Sequence, residues 1–293
     1  MLSSTPCALC GASEYRLLHD MGWRRVLRCA GCGLVRADPL PSMDEKVAVE
    51  TLGYTDETAY PEVRDFFANC HRDFVEDPVI RGMRRNLTDL EQVLGGTGRL
   101  LDVGAGTGIF MHLARERGWE PTGVDICPLT ADKAEREFGV RIAVGPFEQH
   151  EFDSRRFDAV TMLDVLEHVH DPLASLRRVH ALLRPGGAVC IAVPNQRSLL
   201  TAVVDAYARA GGPAADKLLL RLYVAPHLHY FTPKTIQRLV RAAGFRLHTL
   251  RQGSVYLGRY RLALGLRIPL EMILAAGAAV GMNARLSVLA VKE

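Results

Sequence analysis

The stretch RLLDVGAGTG, residues 99–108, limits the fold more than any other part of this 293-residue chain. An apolar run ends in an acid, Asp102, and passes into a turn with glycine at alternate positions, Gly104, Gly106 and Gly108. Four more short apolar runs follow, PTGV, VRIAV, FDAVTM and AVCIAV, with helical spacing between them. Strands alternating with helices signal an α/β, doubly wound, Rossmann-like parallel sheet. Ligands in such sheets sit at the carboxyl ends of the strands, where the strand order switches. The second run ends there in another acid, Asp125.

A dinucleotide fingerprint reads G-x-G-x-x-G/A. Counted from Gly104 the sixth position is Ile109, and from Gly106 it is Met111; neither is small. An acid at the strand end repels a pyrophosphate but suits an ammonium group. Asp125 stands where an acid accepts hydrogen bonds from both hydroxyls of a ribose. The turn therefore points to S-adenosylmethionine (SAM) and away from NAD.

The N-terminus carries a second constraint. Cys7, Cys10, Cys29 and Cys32 form two C-x2-C pairs eighteen residues apart, each followed by a turn glycine, Gly11 or Gly33. Four thiolates at that spacing suit tetrahedral zinc with no open position, a structural site. The residues between the pairs predict a short hairpin with Trp23, Val26 and Leu27 as its apolar content. So small a unit would draw much of its folding energy from the metal. The prolines of GLVRADPLPS end it, giving a ribbon over residues 1–42. A helical linker or cap follows over 43–95, and Gly95, Gly96 and Gly98 open the main domain, 96–293.

The motifs LLDVGAGTGIF, PTGVDI, RFDAVTMLDVLEHVHDP, LLRPGG and VPN, in that order across residues 95–250, resemble class I SAM-dependent methyltransferases. The cysteine ribbon followed by GLVRADPLPS is similar to the zinc-bearing branch of that family, many members of which modify sugars, glycans or natural products. The resemblance implies that Asp102, Gly104, Gly106 and Gly108 meet the methionine end of SAM, and Asp125, with Ile126 beside it, the ribose. It implies Phe147 and Glu148 at the adenine pocket and Asp164 beside the sulfonium. GPFEQ departs from the family's commoner acid-plus-small pair, and Cys127 reads as a pocket wall.

Methyl transfer from a sulfonium needs alignment and a dry site, and an alcohol acceptor also needs a base, for which histidine is the usual choice. APHLHYFTPKT, residues 225–235, precedes the helix TIQRLVRAAGF, with Thr232 as its cap and Pro233 at its first position. His227 is the first candidate base and His229 the second. In DVLEHV, Asp164, Glu167 and His168 share one face if the segment is helical. That string resembles the magnesium site of ubiquinone-pathway O-methyltransferases, with Asp in place of the first Glu. It makes magnesium an alternative cofactor and His168 a third candidate base. His170 reads as a capping or surface residue.

Two insertions would choose the acceptor. Residues 198–224 predict two amphipathic helices broken at GGP, a lid that Tyr207 and Tyr223 line. Residues 251–285 hold the apolar stretch 262–282, read as a helical hairpin packed on the lid. The alternative is a helix lying on a membrane surface through 259–282, helped by Arg259, Arg261 and Arg267.

A net charge of +3, 48% hydrophobic and 24% charged residues, no secretion signal and no membrane-length apolar run predict a cytoplasmic protein without a dedicated nucleic-acid surface. The expected activity is methylation of a small molecule, a sugar, glycan or natural-product hydroxyl. An RNA base methyltransferase, with Arg16, Arg24, Arg25, Arg28 and Arg36 of the ribbon as its recognition surface, is the competing enzyme. A non-catalytic SAM-binding protein is the competing non-enzyme.

Overall fold

The computed structural model describes residues 5–55, 77–152, 156–213, 215–224, 226–257 and 264–293. The ribbon strands are β1 (Tyr15–Asp20), β2 (Arg25–Cys29) and β3 (Val35–Asp38), followed by α1 (Met43–Thr55) and α2 (Pro78–Leu94). Then come β4 (Arg99–Val103), α3 (Ile109–Glu116), β5 (Glu120–Asp125), α4 (Pro128–Phe138), β6 (Ile142–Val144) and a 3-10 turn, Phe147–Gln149. β7 (Phe157–Leu163), α5 (Pro172–Leu182), β8 (Leu183–Pro194), α6 (Leu199–Arg209) and α7 (Ala215–Leu222) continue the chain. It closes with β9 (His229–Tyr230), α8 (Pro233–Ala242), β10 (Phe245–Gly253), α9 (Leu264–Ala279) and β11 (Arg285–Lys292).

The main sheet has seven strands in the order β10-β11-β8-β7-β4-β5-β6. β4 pairs in parallel with β5 on one side and β7 on the other, so the strand order switches at β4. The five strands from β6 to β8 are parallel, while β11 and β10 complete the sheet in antiparallel ladders. Successive side chains of a strand point to opposite faces, and neighbours here enter different cores. Leu100 and Ala159 pack with Ile80 and Leu87 of α2 and Leu113 of α3. Leu101 and Val160 pack with Leu176 of α5 and Ile236 of α8. Both faces being covered, the strands carry continuous apolar runs.

The ribbon departs from the expected isolated hairpin. It is a four-stranded antiparallel sheet, β1-β2-β3-β9, whose last strand comes from the histidine-bearing segment far along the chain. Trp23, expected inside, is 56% exposed, whereas Val26 and Leu27 are fully buried. Nor does the ribbon lack a core. Leu9, Leu34 and three of the cysteines belong to the same apolar cluster as Leu166, Phe231 and Ile236. On its other side, Val26 and Val35 pack with Val204, Leu219 and Tyr223 of the lid segment. The ribbon is thus folded against the rest of the chain, which supplies apolar burial that a free-standing knuckle would lack.

α6 and α7, the helices expected to form a lid, pack on each other and on this sheet. Tyr223 faces the ribbon, fully buried, and does not line an open lid; Tyr207 is more exposed and donates to the Pro213 carbonyl oxygen at 2.9 Å. One acid serves two buried partners: Asp205 Oδ1 lies 2.8 Å from His19 Nε2 and accepts the Tyr223 hydroxyl at 3.0 Å. In the second insertion the expected hairpin is represented by α9, which leans on α6 where Leu199 donates to the Met282 carbonyl oxygen at 3.0 Å. Arg259 and Arg261 lie outside the described residues, as do residues 56–76 of the helical linker expected over 43–95. Leu266, Ile268 and Met272 of α9 are exposed, and no described helix is long and apolar enough to cross a membrane.

Asp205→Ala leaves the Tyr223 hydroxyl and the His19 ring without their common acceptor. Unsatisfied buried donors cost about 1–3 kcal/mol, so urea unfolding should show a loss of that size. No loss would mean that this contact does not hold the lid to the ribbon.

Candidate active site

The glycine turn owes its residues to space and to backbone angle. Gly104, Gly106 and Gly108 all have left-handed φ, of +71°, +52° and +77°. A Cβ on Gly104 would lie 2.2 Å from Val165 Cγ2, and one on Gly108 would lie 2.6 Å from Val140 Cγ2. The turn is tied to β5 by Gly104 N–H, which donates to the Val124 carbonyl oxygen at 2.8 Å.

Asp125 is the hub of this end of the sheet. Its Oδ2 accepts from Gly106 N–H at 2.8 Å, and its Oδ1 from Cys127 N–H at 2.9 Å and the Thr130 hydroxyl at 3.2 Å. Ile126 beside it is half-buried, and Cys127, fully buried, caps α4 by position. Asp102 is buried and accepts the Thr161 hydroxyl at 2.6 Å. Burial pushes its carboxyl up to about 7; the Thr161 hydrogen bond opposes this, and the Asp125 charge adds to it. Thr161, a hydroxyl in the middle of the run FDAVTM, was the available sequence signal for this partner.

Phe147 is buried in the 3-10 turn with the Arg178 guanidinium 5.2 Å from its ring centre. Glu148 Oε1 accepts the Ser175 hydroxyl at 3.0 Å. Beside them is a cavity of about 210 Å³ lined by Met43 and Lys46 of α1 with Glu148, His170, Asp171 and Ser175.

The segment 164–169 is a turn, not a helix. Asp164 has φ +59° and is exposed, and its carboxylate pairs with Arg285 at 2.5 Å. Glu167 turns inward instead. The expected shared face of Asp164, Glu167 and His168 is therefore replaced by another convergence. Ligand atoms of Glu167, His168 and His227 all lie within 4.8 Å of one another. The His168 and His227 rings meet edge to face with centres 4.8 Å apart. Neither Glu167 carboxylate oxygen finds a hydrogen-bond partner among the described residues. Burial pushes the Glu167 carboxyl up to about 8, His168 opposing and Asp164 adding. Burial, then the charges of His168, Arg24 and Arg285, hold His227 well below the usual histidine range, so its ring is neutral at pH 7.

His229 points elsewhere. It is fully buried, lies 3.1 Å from the His170 carbonyl oxygen through Nε2, and is held at about 4 chiefly by burial. His170 Nε2 in turn lies 2.7 Å from the Pro41 carbonyl oxygen, and the cap of α5 is Asp171. Thr232 caps α8 in a reciprocal box with Thr235. Two bonds hold the histidine segment to the turn after β7: Leu228 N–H and His229 N–H donate to the Glu167 carbonyl oxygen at 2.7 and 3.0 Å. From the ribbon side, Ala37 N–H donates to the Leu228 carbonyl oxygen at 2.9 Å.

The four ribbon cysteines converge as their spacing requires. Cys7 and Cys32 sulfurs are 3.5 Å apart, as are those of Cys10 and Cys29, and all four lie within 4.8 Å of one another. Sulfurs around a tetrahedral zinc stand about 3.8 Å apart. Of the ribbon arginines, Arg24 and Arg36 are buried and Arg25 pairs with Asp38. Arg16 and Arg28 remain exposed, opposite each other in the β1–β2 ladder.

A family model described as a methyltransferase domain matches residues 74–250. The ubiquinone biosynthesis O-methyltransferase of Pseudomonas aeruginosa is 32% identical over 161 residues, 50% of this chain and 69% of that protein. The enzyme of the same description from Alkalilimnicola ehrlichii is 32% identical over 172 residues, 55% of this chain and 66% of its own. Among solved structures, the 1,6-didemethyltoxoflavin-N1-methyltransferase of Burkholderia thailandensis, with bound 1,6-didemethyltoxoflavin and S-adenosylhomocysteine, superposes with a TM-score of 0.54 at 23% identity. That match covers 96% of this chain and 99% of the other and is a likeness of fold.

The Asp102 carboxyl, at about 7 when folded, stands above the ordinary aspartate value of about 4. Between those values the folded protein without ligand binds more protons than the unfolded chain. The Asp102 contribution to stability should therefore fall as pH rises through that window; Glu167 adds a fall of the same sense up to about 8, and the buried His229 ring opposes both between about 4 and the ordinary histidine value. Denaturant midpoints across the window test this as a difference between proteins: stability of Asp102→Asn should fall less with rising pH than that of the unmodified protein, and an identical slope in both would show that Asp102 does not titrate there.

Proposed function

Because this chain belongs to the methyltransferase-domain family and is a SAM-dependent methyltransferase, we propose that it methylates an oxygen of a small molecule, a sugar, glycan or natural-product hydroxyl. The observation that carries this reading is the convergence of the His227 ring with the His168 ring, edge to face, and with the buried Glu167 carboxyl after β7. The relatives described as O-methyltransferases support the choice of oxygen. The engagement of three of the five ribbon arginines within the protein supports a small acceptor over RNA.

SAM supplies a methyl group on a sulfonium, which leaves as a neutral thioether. The residues present fit it: a turn whose crowded glycines exclude side chains, a buried acid at the end of β4, and a second acid at the end of β5. Asp102 would take the cationic methionine end, its carboxyl ionising in a cation's presence. Asp125 would accept from the ribose hydroxyls, with Ile126 against the sugar. Phe147 and Glu148 would bound the adenine, and Asp164 would flank the reacting centre. An imidazole nitrogen of His227 would take the proton of the acceptor hydroxyl, for which a neutral ring is required. His168 would steady that ring, and a protonated Glu167 would leave it without a competing anion.

The convergence of Glu167, His168 and His227 favours a second reading, a divalent cation held by these three side chains. Two imidazoles and a carboxylate suit zinc, manganese or iron better than magnesium. Titrating metal-stripped protein with each cation in a calorimeter decides between them. Saturable binding lost in both His168→Ala and His227→Ala would make His227 a ligand and remove it as the base.

The ribbon cysteines would hold one structural zinc, which metal analysis should find at one per chain. Asp125→Ala should weaken S-adenosylhomocysteine binding by at least about tenfold, the worth of a lost charged hydrogen-bonding group. His227→Ala should bind it normally while transferring methyl about 100-fold more slowly. Loss of cofactor binding in His227→Ala with the fold intact would contradict its role as a base.

A further inference from the structure

Arg24 precedes β2 in the ribbon, and its side chain is almost wholly buried. A buried guanidinium is costly unless its donors are used. Here Nη1 donates to the Val224 carbonyl oxygen at 2.7 Å, and Nη2 donates to the His227 carbonyl oxygen and lies 3.2 Å from the Tyr230 hydroxyl. Those two carbonyls belong to one turn, which His227 N–H closes on Val224 O at 3.1 Å. A planar fork spans two such acceptors, whereas an ammonium offers a single point of charge. The Tyr230 hydroxyl also donates to the His227 carbonyl oxygen, at 3.1 Å. The other side of the segment is held by the Glu167 carbonyl oxygen, through Leu228 and His229 N–H. The turn that carries His227 is therefore clamped between the ribbon and the turn after β7.

We propose that Arg24 is a positioning residue for methyl transfer: gripping both ends of the turn at Val224 and His227, it keeps the His227 ring against His168. The ribbon then governs transfer through this grip without supplying a group that reacts. The inference rests on the reading of His227 as part of the acceptor site. It also gives the ribbon cysteines a consequence at a distance, since the fold they brace is what presents Arg24.

The test compares Arg24→Ala and Arg24→Lys with the unmodified protein in three measurements. S-adenosylhomocysteine affinity by calorimetry should stay within about twofold, because the glycine turn and both acids lie on other elements. Amide hydrogen exchange, read by mass spectrometry, should rise in the peptide holding 226–230 and stay unchanged over 102–108. Methyl transfer at saturating radiolabelled SAM, into the extract fraction that accepts label, should fall about 100-fold in Arg24→Ala, as expected for a displaced reacting group. The loss should appear in kcat and not in the KM for SAM. Millimolar guanidinium should restore part of the rate to Arg24→Ala, and Arg24→Lys should fall between the two. Unchanged exchange over 226–230, or transfer at the full rate, would overturn the proposal. Should Arg24→Ala unfold the ribbon, Arg24→Lys with an intact ribbon carries the same comparison. If the unmodified protein labels nothing, the reading of His227 fails, and the exchange measurement still decides whether Arg24 holds the turn.

Discussion

The reversal of strand order at β4 is the constraint on which the rest of the molecule depends. With β5 on one side and β7 on the other, the crossover connections leave in opposite directions and open a crevice at the carboxyl ends. Asp102 and Asp125 are the last or nearly last residues of their strands and so stand beside that crevice. Neither could sit in the body of a strand covered on both faces without a large desolvation cost. At the strand ends, Thr161 supplies a hydrogen bond to Asp102, and Gly106 and Cys127 supply them to Asp125.

A second constraint comes from the ribbon, which shares a sheet with the segment that carries the histidines. β9 is only two residues long, and it could not persist without β3 to pair with. The burial of Leu9 and Leu34 in the main core, and of Val26 and Val35 against the lid, makes ribbon, lid and histidine segment one packed unit. The ribbon thereby packs directly on the histidine segment, while Asp102, Asp125 and the glycine turn lie on or beside other strands.

The parallel strands were legible because burial on both faces leaves unbroken apolar runs, and the glycine turn because its positive φ angles admit little else. The N-terminal cap of α8 was legible from Thr232 and Pro233 alone. The segment 164–169 was not. Its residues have helical spacing, but Asp164 adopts a left-handed conformation and is drawn out to Arg285, which separates it from Glu167. The place expected for Asp164 is taken by His227, a partner nearly sixty residues away that no local period announces. The ribbon misled in the same way: Trp23 looks like core, yet the apolar partners of β2 and β3 come from the lid. Arg24 is one of five arginines in the ribbon, and only the fold separates it from those that face water.

Transfer of methyl from SAM to a small acceptor can be read by incubating the protein with radiolabelled SAM and a host extract separated into small molecules, lipids and RNA. Label should appear in the small-molecule fraction, or on a lipid-linked sugar, as a base-stable ether. Label confined to RNA would contradict it and turn attention to Arg16 and Arg28 on the outer face of the ribbon.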